Sequence, residues 1–380
     1  MKRLECLDGL RGVLAVYVML GHMAPFAAWP IWISRPLSHG GAAVDLFFML
    51  SGLVIMRSLE SCRFAAAPFL ILRTTRIFPV FLVMFAVGIA AQLLPPTFDD
   101  MPWIAPGDVA FDIWPRGWPT AWLAEIVAHL TMTHGLFPNG VLPDVWVSYL
   151  GAAWSLSTEW QFYIVVLVLG RSRMGPQWLA GAFLVLAIAG LAWDAEAPDA
   201  WRFSRAFLPN KAQYFALGIA SSVWLDRRSV GSFATVLLVT LGLCAIRGGV
   251  EKLLPPLIWT LCLAVELHPG GLGVVARPLR WRSVRWLGAI SYPLYLANEP
   301  IQKGLCFVLV GFAAGNPVLF TSMWIPAAIA IPISVAALLH RYVETPAILW
   351  ARARFSPGVR HGIPQPALAL SPLNSADKFE

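Results

Sequence analysis

Charge is the first thing in short supply. Of 380 residues only 13% are charged, about half the share of an ordinary soluble domain, while 58% are hydrophobic. A composition of that kind argues against a soluble globular enzyme and places the chain in a bilayer. Cysteine is also scarce: Cys6, Cys62, Cys244, Cys262 and Cys306 are scattered, odd in number, and lack CxxC or Cys/His ligand spacing. They read as small hydrophobes rather than disulfide staples or zinc ligands, and no metal is expected. There is no internal repeat and no matching pair of Gly/Pro-broken helices in two halves, which counts against the repeat-built transporter folds. The net charge of +7 is not a nucleic-acid footprint, because its distribution follows the membrane.

What the chain does have is a succession of apolar runs. A crossing needs about 20 residues to span a hydrocarbon core of about 30 Å. Candidate spans fall near residues 8–28, 41–57, 76–94, 148–170, 177–193, 205–225, 230–246, 254–268, 287–313 and 317–341. The expected fold is therefore all-α, a polytopic membrane bundle of about ten transmembrane helices over residues 1–347. A cytoplasmic disordered tail, residues 348–380, is expected to follow, rich in proline from Ser356 onward. With a cytoplasmic N-terminus, alternate connections collect Lys2 and Arg3, then Arg57, Arg63, Arg73 and Arg76, then Arg171 and Arg173, then Arg227 and Arg228. The last inner segments hold Arg277, Arg280, Arg282 and Arg285, then Arg341, Arg352, Arg354, Arg360 and Lys378. The opposite side holds Asp99, Asp100, Asp108, Asp112, Asp194, Glu196 and Asp199, so the positive-inside rule sets both termini in the cytoplasm. A cleaved signal peptide is disfavoured, since Asp8 and Arg11 interrupt the first run and many spans follow. The long outer connection, about 95–147, is rich in Pro and Trp. It contains WLAEIVAHLTMTH, which reads as an interfacial helix and, functionally, as a lid over an outward-facing pocket.

Within these spans stand polar residues that hydrocarbon does not tolerate without a purpose. In LDGLRGVLAVYVMLGHM, Arg11 and His22 are eleven positions apart, which returns them to one helical face about 16 Å apart along the axis. Asp8 lies one turn before Arg11 and is positioned to pair with it. GGAAVDLFFMLSGLVIM brings Asp45 to a depth comparable with His22, where a carboxylate would fix the imidazole tautomer and make it a general base. Arg73 and Arg76, at i, i+3 in RTTR, can converge on one anion such as a phosphate-bearing donor. WSLSTEWQFY places Ser155, Glu159 and Tyr163 on one stripe at mid-depth. LGAISYPLYLANEPIQK adds Ser291, Tyr292, Tyr295, Asn298, Glu299 and Lys303, and HRYVETPAI adds Glu344. These positions fit a ring around a central cavity, and they fit the lining of a solute path equally well.

Four separated segments, LDGLRGVLAVYVMLGHM, GGAAVDLFFMLSGLVI, RTTR and WSLSTEWQFY, together with GAISYPLYL and YVETP, resemble the acyltransferase family 3 membrane proteins, from residue 4 to about 347. The resemblance implies a multi-pass protein of the bacterial cytoplasmic (inner) membrane. Such a protein moves an acyl group, acetyl-like, from acyl-CoA to a hydroxyl of a carbohydrate such as O-antigen or exopolysaccharide. It likewise implies that His22 and Arg11 are the essential pair and that Arg73 and Arg76 are the inner arginine motif. No bound cofactor is implied; acyl-CoA is a co-substrate. The partners are acyl-CoA, a carbohydrate or lipid-linked glycan acceptor and membrane lipid, with no nucleic acid. Where many relatives carry a histidine after the SYxxYL segment this chain has Asn298, and no esterase-like domain follows the last span, so the stand-alone form is expected.

The resulting expectation assigns catalysis to His22, Asp45, Arg11 and Glu159. Substrate binding falls to Arg73, Arg76, Tyr163, Tyr292 and Asn298, and a structural role to Asp8 and Glu344. His22, oriented by Asp45, would deprotonate the acceptor hydroxyl or take the acyl group transiently, while Arg11 or Tyr292 stabilises developing negative charge. The alternative is a transporter of a glycan or small anion.

Overall fold

A computed structural model describes residues 5–95, 98–105, 107–114, 117–170, 175–227, 230–248, 250–267 and 273–355. Lys2, Arg3, Arg171, Arg173, Arg228, Arg360 and Lys378, part of the expected charge asymmetry, lie outside them. Among the described residues the chain is helical, with one isolated bridge between Pro138 and Phe203. The long helices are α1 (Glu5–Met23), α2 (Gly40–Ser61), α3 (Ala66–Gln92), α4 (Trp154–Gly170) and α5 (Pro176–Glu196). They continue with α6 (Ala212–Arg227), α7 (Val230–Gly248), α8 (Leu254–Leu267), α9 (Ser291–Ala313) and α10 (Pro317–Leu339).

Each expected span is occupied by a helix, but among the described residues seven stretches are long and apolar enough to cross a membrane. They are Glu5–Phe26, Ile31–Ser61, Ala66–Gln92, Gly151–Gly170, Pro176–Glu196, Val230–Gly248 and Pro317–Phe355. The remainder fall short for physical reasons. Helices α6 and α8 have 16 and 14 residues, and α9 carries Asn298, Glu299 and Lys303 turned into the bundle, where all three are buried. Polar groups that face other helices rather than lipid lower the hydropathy of a helix without exposing it to hydrocarbon.

Close approach of small residues sets the central packing. A Cβ at Gly218 of α6 would lie 2.1 Å from the Met49 carbonyl oxygen of α2, and one at Gly52 would lie 2.4 Å from the Phe215 carbonyl oxygen. Backbone contact of this kind is how helices associate where lipid removes the hydrophobic drive. The α9–α10 turn is equally explicit: Ala314 (φ 45°) and Gly315 (φ 76°) leave the helix left-handed, and Asn316 caps α10 by accepting from the amides of Val318 and Leu319.

The end of α1 that carries Asp8 is called the inner end here. The ion pairs Arg285–Glu5 (3.1 Å) and Arg280–Glu266 (3.5 Å) gather there, and Arg57–Asp226 (2.9 Å) closes the corresponding ends of α2 and α6. Residues 348–355, expected to open the tail, are helical. After a π-helical turn, His340–Glu344, the chain continues as the helix Thr345–Phe355, whose Ala351 is buried; the rest of the expected tail, 356–380, lies outside the described residues.

Candidate active site

At the outer end of α1, His22 Nδ1 lies 2.6 Å from Asn298 Oδ1 on α9. The Asn298 amide nitrogen donates to the carbonyls of Leu294 (2.9 Å) and Tyr295 (2.7 Å), which turns the amide oxygen toward the imidazole. The oxygen can only accept, so His22 carries its proton on Nδ1 and keeps a lone pair on Nε2. That is the form of a general base. Glu299 lies within electrostatic range of His22 and is bound to Lys303 at 2.8 Å, both side chains buried. Gly151 makes room for this carboxylate, because a Cβ there would meet Glu299 Oε2 at 2.5 Å. Ser155 of α4 donates to the Tyr295 hydroxyl at 3.0 Å.

Asp45 does not take the role expected of it. Its carboxylate accepts from Lys211 Nζ at 2.6 Å, a buried ion pair whose ammonium also lies 5.5 Å from the Tyr214 ring centre and 5.7 Å from that of Trp154. The orienting partner of His22 is Asn298, from a helix far along the chain. Equal depth on neighbouring helices made the Asp45 pairing plausible, but a buried carboxylate goes to a cation within reach, and Lys211 supplies one from the connection before α6.

Mid-column, Glu159 on α4 accepts from Ser51 Oγ of α2 at 2.7 Å and from the Tyr163 hydroxyl one turn along its own helix. The guanidinium of Arg73 lies 5.0 Å from the Tyr163 ring centre and 5.7 Å from that of Phe69, a cation–π seat that leaves its buried Nε without a partner. Both Arg73 and Arg76 are within electrostatic range of Tyr163.

Towards the inner end, Arg11 is surrounded by Arg76, Asp8, Glu344 and Glu159. It therefore stands with the inner arginines and not beside His22, as eleven residues of helical rise require. Tyr292 donates to the Ile77 carbonyl of α3 at 2.5 Å, and its ring end faces Glu344, Glu159 and Arg76. It too belongs to the inner cluster rather than to the surroundings of His22. Glu344 accepts from His340 Nδ1 at 2.7 Å across the π-helical turn. Helical segments with that widened hydrogen bonding recur at functional sites.

Arg11, His22, Ser51, Arg76, Glu159 and Tyr292 are each only half-buried, and all but His22 are linked to one another through Glu159, with Arg11, Tyr292 and Ser51 each beside it. With Asp8 and Glu344 they describe a polar column with inner and outer parts: three carboxylates and converging arginines below, an oriented imidazole above. Sequence reasoning missed three of its members. Lys211 sits outside any periodic run, Arg352 was read only as topology although it approaches Arg76, and His340 hides in a turn that helical periodicity does not foresee.

The long outer connection packs through two histidines. His129 and His134 stack with centroids 4.2 Å apart and planes at 8°, both fully buried. Their ring N–H groups go to the Glu125 carbonyl (2.9 Å) and the Ala153 carbonyl (3.1 Å). Burial pushes the His134 pKa down to about 4, with hydrogen bonding opposing it, and lowers that of His129 well below 6.5, helped by the neighbouring ring.

The sequence model of a protein family described as an acyltransferase domain, family 3, matches residues 4–341. No curated protein and no solved structure gives a significant match.

Proposed function

The chain belongs to acyltransferase family 3 and is a membrane acyltransferase, and from that premise we propose that it carries an acyl group from acyl-CoA to a hydroxyl of a carbohydrate. The reading rests above all on the His22–Asn298 pair, which leaves a bare Nε2 lone pair in the outer part of the polar column. The inner arginines take the donor. Arg11 and Arg76 are held near each other with Arg352 beyond, and like charges so gathered favour an anion between them; the phosphates of CoA meet that need. Arg73, clamped over Tyr163, holds the wall behind them.

In the transfer step His22 Nε2 takes the proton of the acceptor hydroxyl while its oxygen attacks the thioester carbonyl. The C–O bond forms, the C–S bond breaks, and the thiolate leaves with the proton that His22 returns, giving an ester and free CoA. Glu159, fixed by Ser51 and Tyr163, lies between the donor end and His22 and lines the route of the acyl group. Ten membrane crossings, cytoplasmic termini and residence in a bacterial inner membrane complete the proposal, with the donor reached from the cytoplasm.

The test uses purified protein with radiolabelled acetyl-CoA and an oligosaccharide acceptor. The expected result is label in the saccharide and stoichiometric free CoA. Hydrolysis or consumption of acetyl-CoA that neither depends on the saccharide nor labels it would refute the carbohydrate reading.

A further inference from the structure

The outer mouth of the column holds a cation that topology does not call for. Basic residues are depleted from outer connections, and most of those present at this end are neutralised. Arg202 is paired with Asp199 (2.7 Å), Arg247 with Asp194 (3.8 Å), Lys211 with Asp45 (2.6 Å) and Lys303 with Glu299 (2.8 Å). Arg205, exposed in the connection between α5 and α6, has no carboxylate within 4.0 Å among the described residues. It is not free to wander, however. Its guanidinium carbon lies 4.8 Å from the ring centre of the half-buried Trp146 and 5.9 Å from that of the buried Trp154.

A guanidinium laid against an aromatic face keeps its planar fork of donors available at the edge and has less freedom to lose on binding. Trp154 is approached by Arg205 and also by Lys211 at 5.7 Å, so positive charge is concentrated on one aromatic shelf. The shelf adjoins the reacting end of the column. The Tyr295 hydroxyl lies within electrostatic range of Arg205 and of Glu299, and Glu299 within range of His22. A ligand held at Arg205 is thus placed over the outer entrance, on the side opposite the inner arginines.

We propose that Arg205, seated on Trp146 and Trp154, is the subsite for an anionic group of the acceptor saccharide, a sugar carboxylate or a sugar phosphate. The fork binds two anion oxygens and the partly exposed Trp146 ring takes the apolar C–H face of the pyranose. The acceptor is then an acidic glycan, and this specificity rests on the acyl-transfer reading only for what happens to the sugar next.

The experiment measures binding by full-length protein in detergent, by calorimetry, to three probes: a glucuronate-terminated disaccharide, its glucose-terminated counterpart, and glucose 1-phosphate. Wild type is expected to prefer one or both acidic probes over the neutral one by about tenfold or more, as a charge-assisted hydrogen bond implies, and which acidic probe is preferred names the anion. Arg205→Gln and Arg205→Ala should abolish the preference, and Trp146→Ala should weaken binding of every probe that wild type holds. Equal affinity of wild type for acidic and neutral probes, or a preference that survives both Arg205 substitutions, overturns the proposal. Because binding is read without turnover, loss of acetyl transfer with intact acidic-sugar preference refutes the enzymatic reading alone. Transfer to acidic sugars unaffected by Arg205→Gln refutes the subsite alone.

Discussion

Asn298 does for His22 what a carboxylate does in many histidine bases, but without adding charge. It fixes the tautomer through an amide whose own nitrogen is tied to two carbonyls of its helix. Asn298→Ala leaves the imidazole without that partner. A hydrogen bond to a group that becomes charged in the reaction is worth about 1.5–3 kcal/mol, so kcat/KM should fall about tenfold to a hundredfold. Steady-state kinetics check this, and KM for acyl-CoA, which the proposed function seats at the other end of the column, should stay near the wild-type value. The Asp45–Lys211 pair makes a different prediction. Lys211→Met leaves a buried carboxylate uncompensated, a loss of about 3–5 kcal/mol that thermal unfolding in detergent would register, and Asp45→Leu in the same chain should restore most of it. At this scale the sequence marked most of the participants, because ionisable groups inside apolar runs stand out. It did not reveal who bonds to whom. Period and depth place His22, Asp45 and Asn298 near one level, and the choice among partners depends on Lys211, which no pattern flagged.

Helices were legible in existence, since apolar length determines it. Their ends were less so: the stretch from 348 onward reads as a tail, yet 348–355 continue the helix Thr345–Phe355, whose Ala351 is buried. The approach of α2 and α6 through Gly52 and Gly218 was also hidden, because two glycines far apart in sequence announce no contact. The outer connection was expected as an interfacial helix and lid, and the helix Trp122–Leu130 is there. What the reading lacked was the stacked histidine pair that packs behind it. Released from the fold, each imidazole would bind a proton near pH 6.5, whereas the packed His134 does so only at about 4. The packed form therefore binds fewer protons in that window. It should lose stability as pH falls from about 6.5 toward 4, and be insensitive above it. Hydrogen exchange of residues 122–136 is expected to rise over this interval, and His129→Phe with His134→Phe should remove the pH dependence.

In the proposed reaction the bundle as a whole keeps two reactants apart until they meet. Converging arginines collect at the end of α1 that carries Asp8, and the oriented base stands about 16 Å along the same helix. In that proposal one helix bears a group from each half of the reaction, with Arg11 and His22 on one face without touching. The overall class was readable from composition and from six short segments whose order spans the chain. The separation of the arginine cluster from the oriented imidazole, on which the proposed donor and acceptor ends rest, needed the partners of Arg11, Tyr292 and His22.

The most direct test of that division is sided reconstitution. The protein is inserted in one orientation in liposomes, with radiolabelled acetyl-CoA confined to the compartment at the Asp8 end of α1 and the acceptor saccharide confined to the other. Wild type should label the saccharide across the bilayer, and His22→Ala should not while still binding acetyl-CoA. Transfer at the wild-type rate by His22→Ala, or transfer by wild type only when donor and acceptor share a compartment, would contradict it.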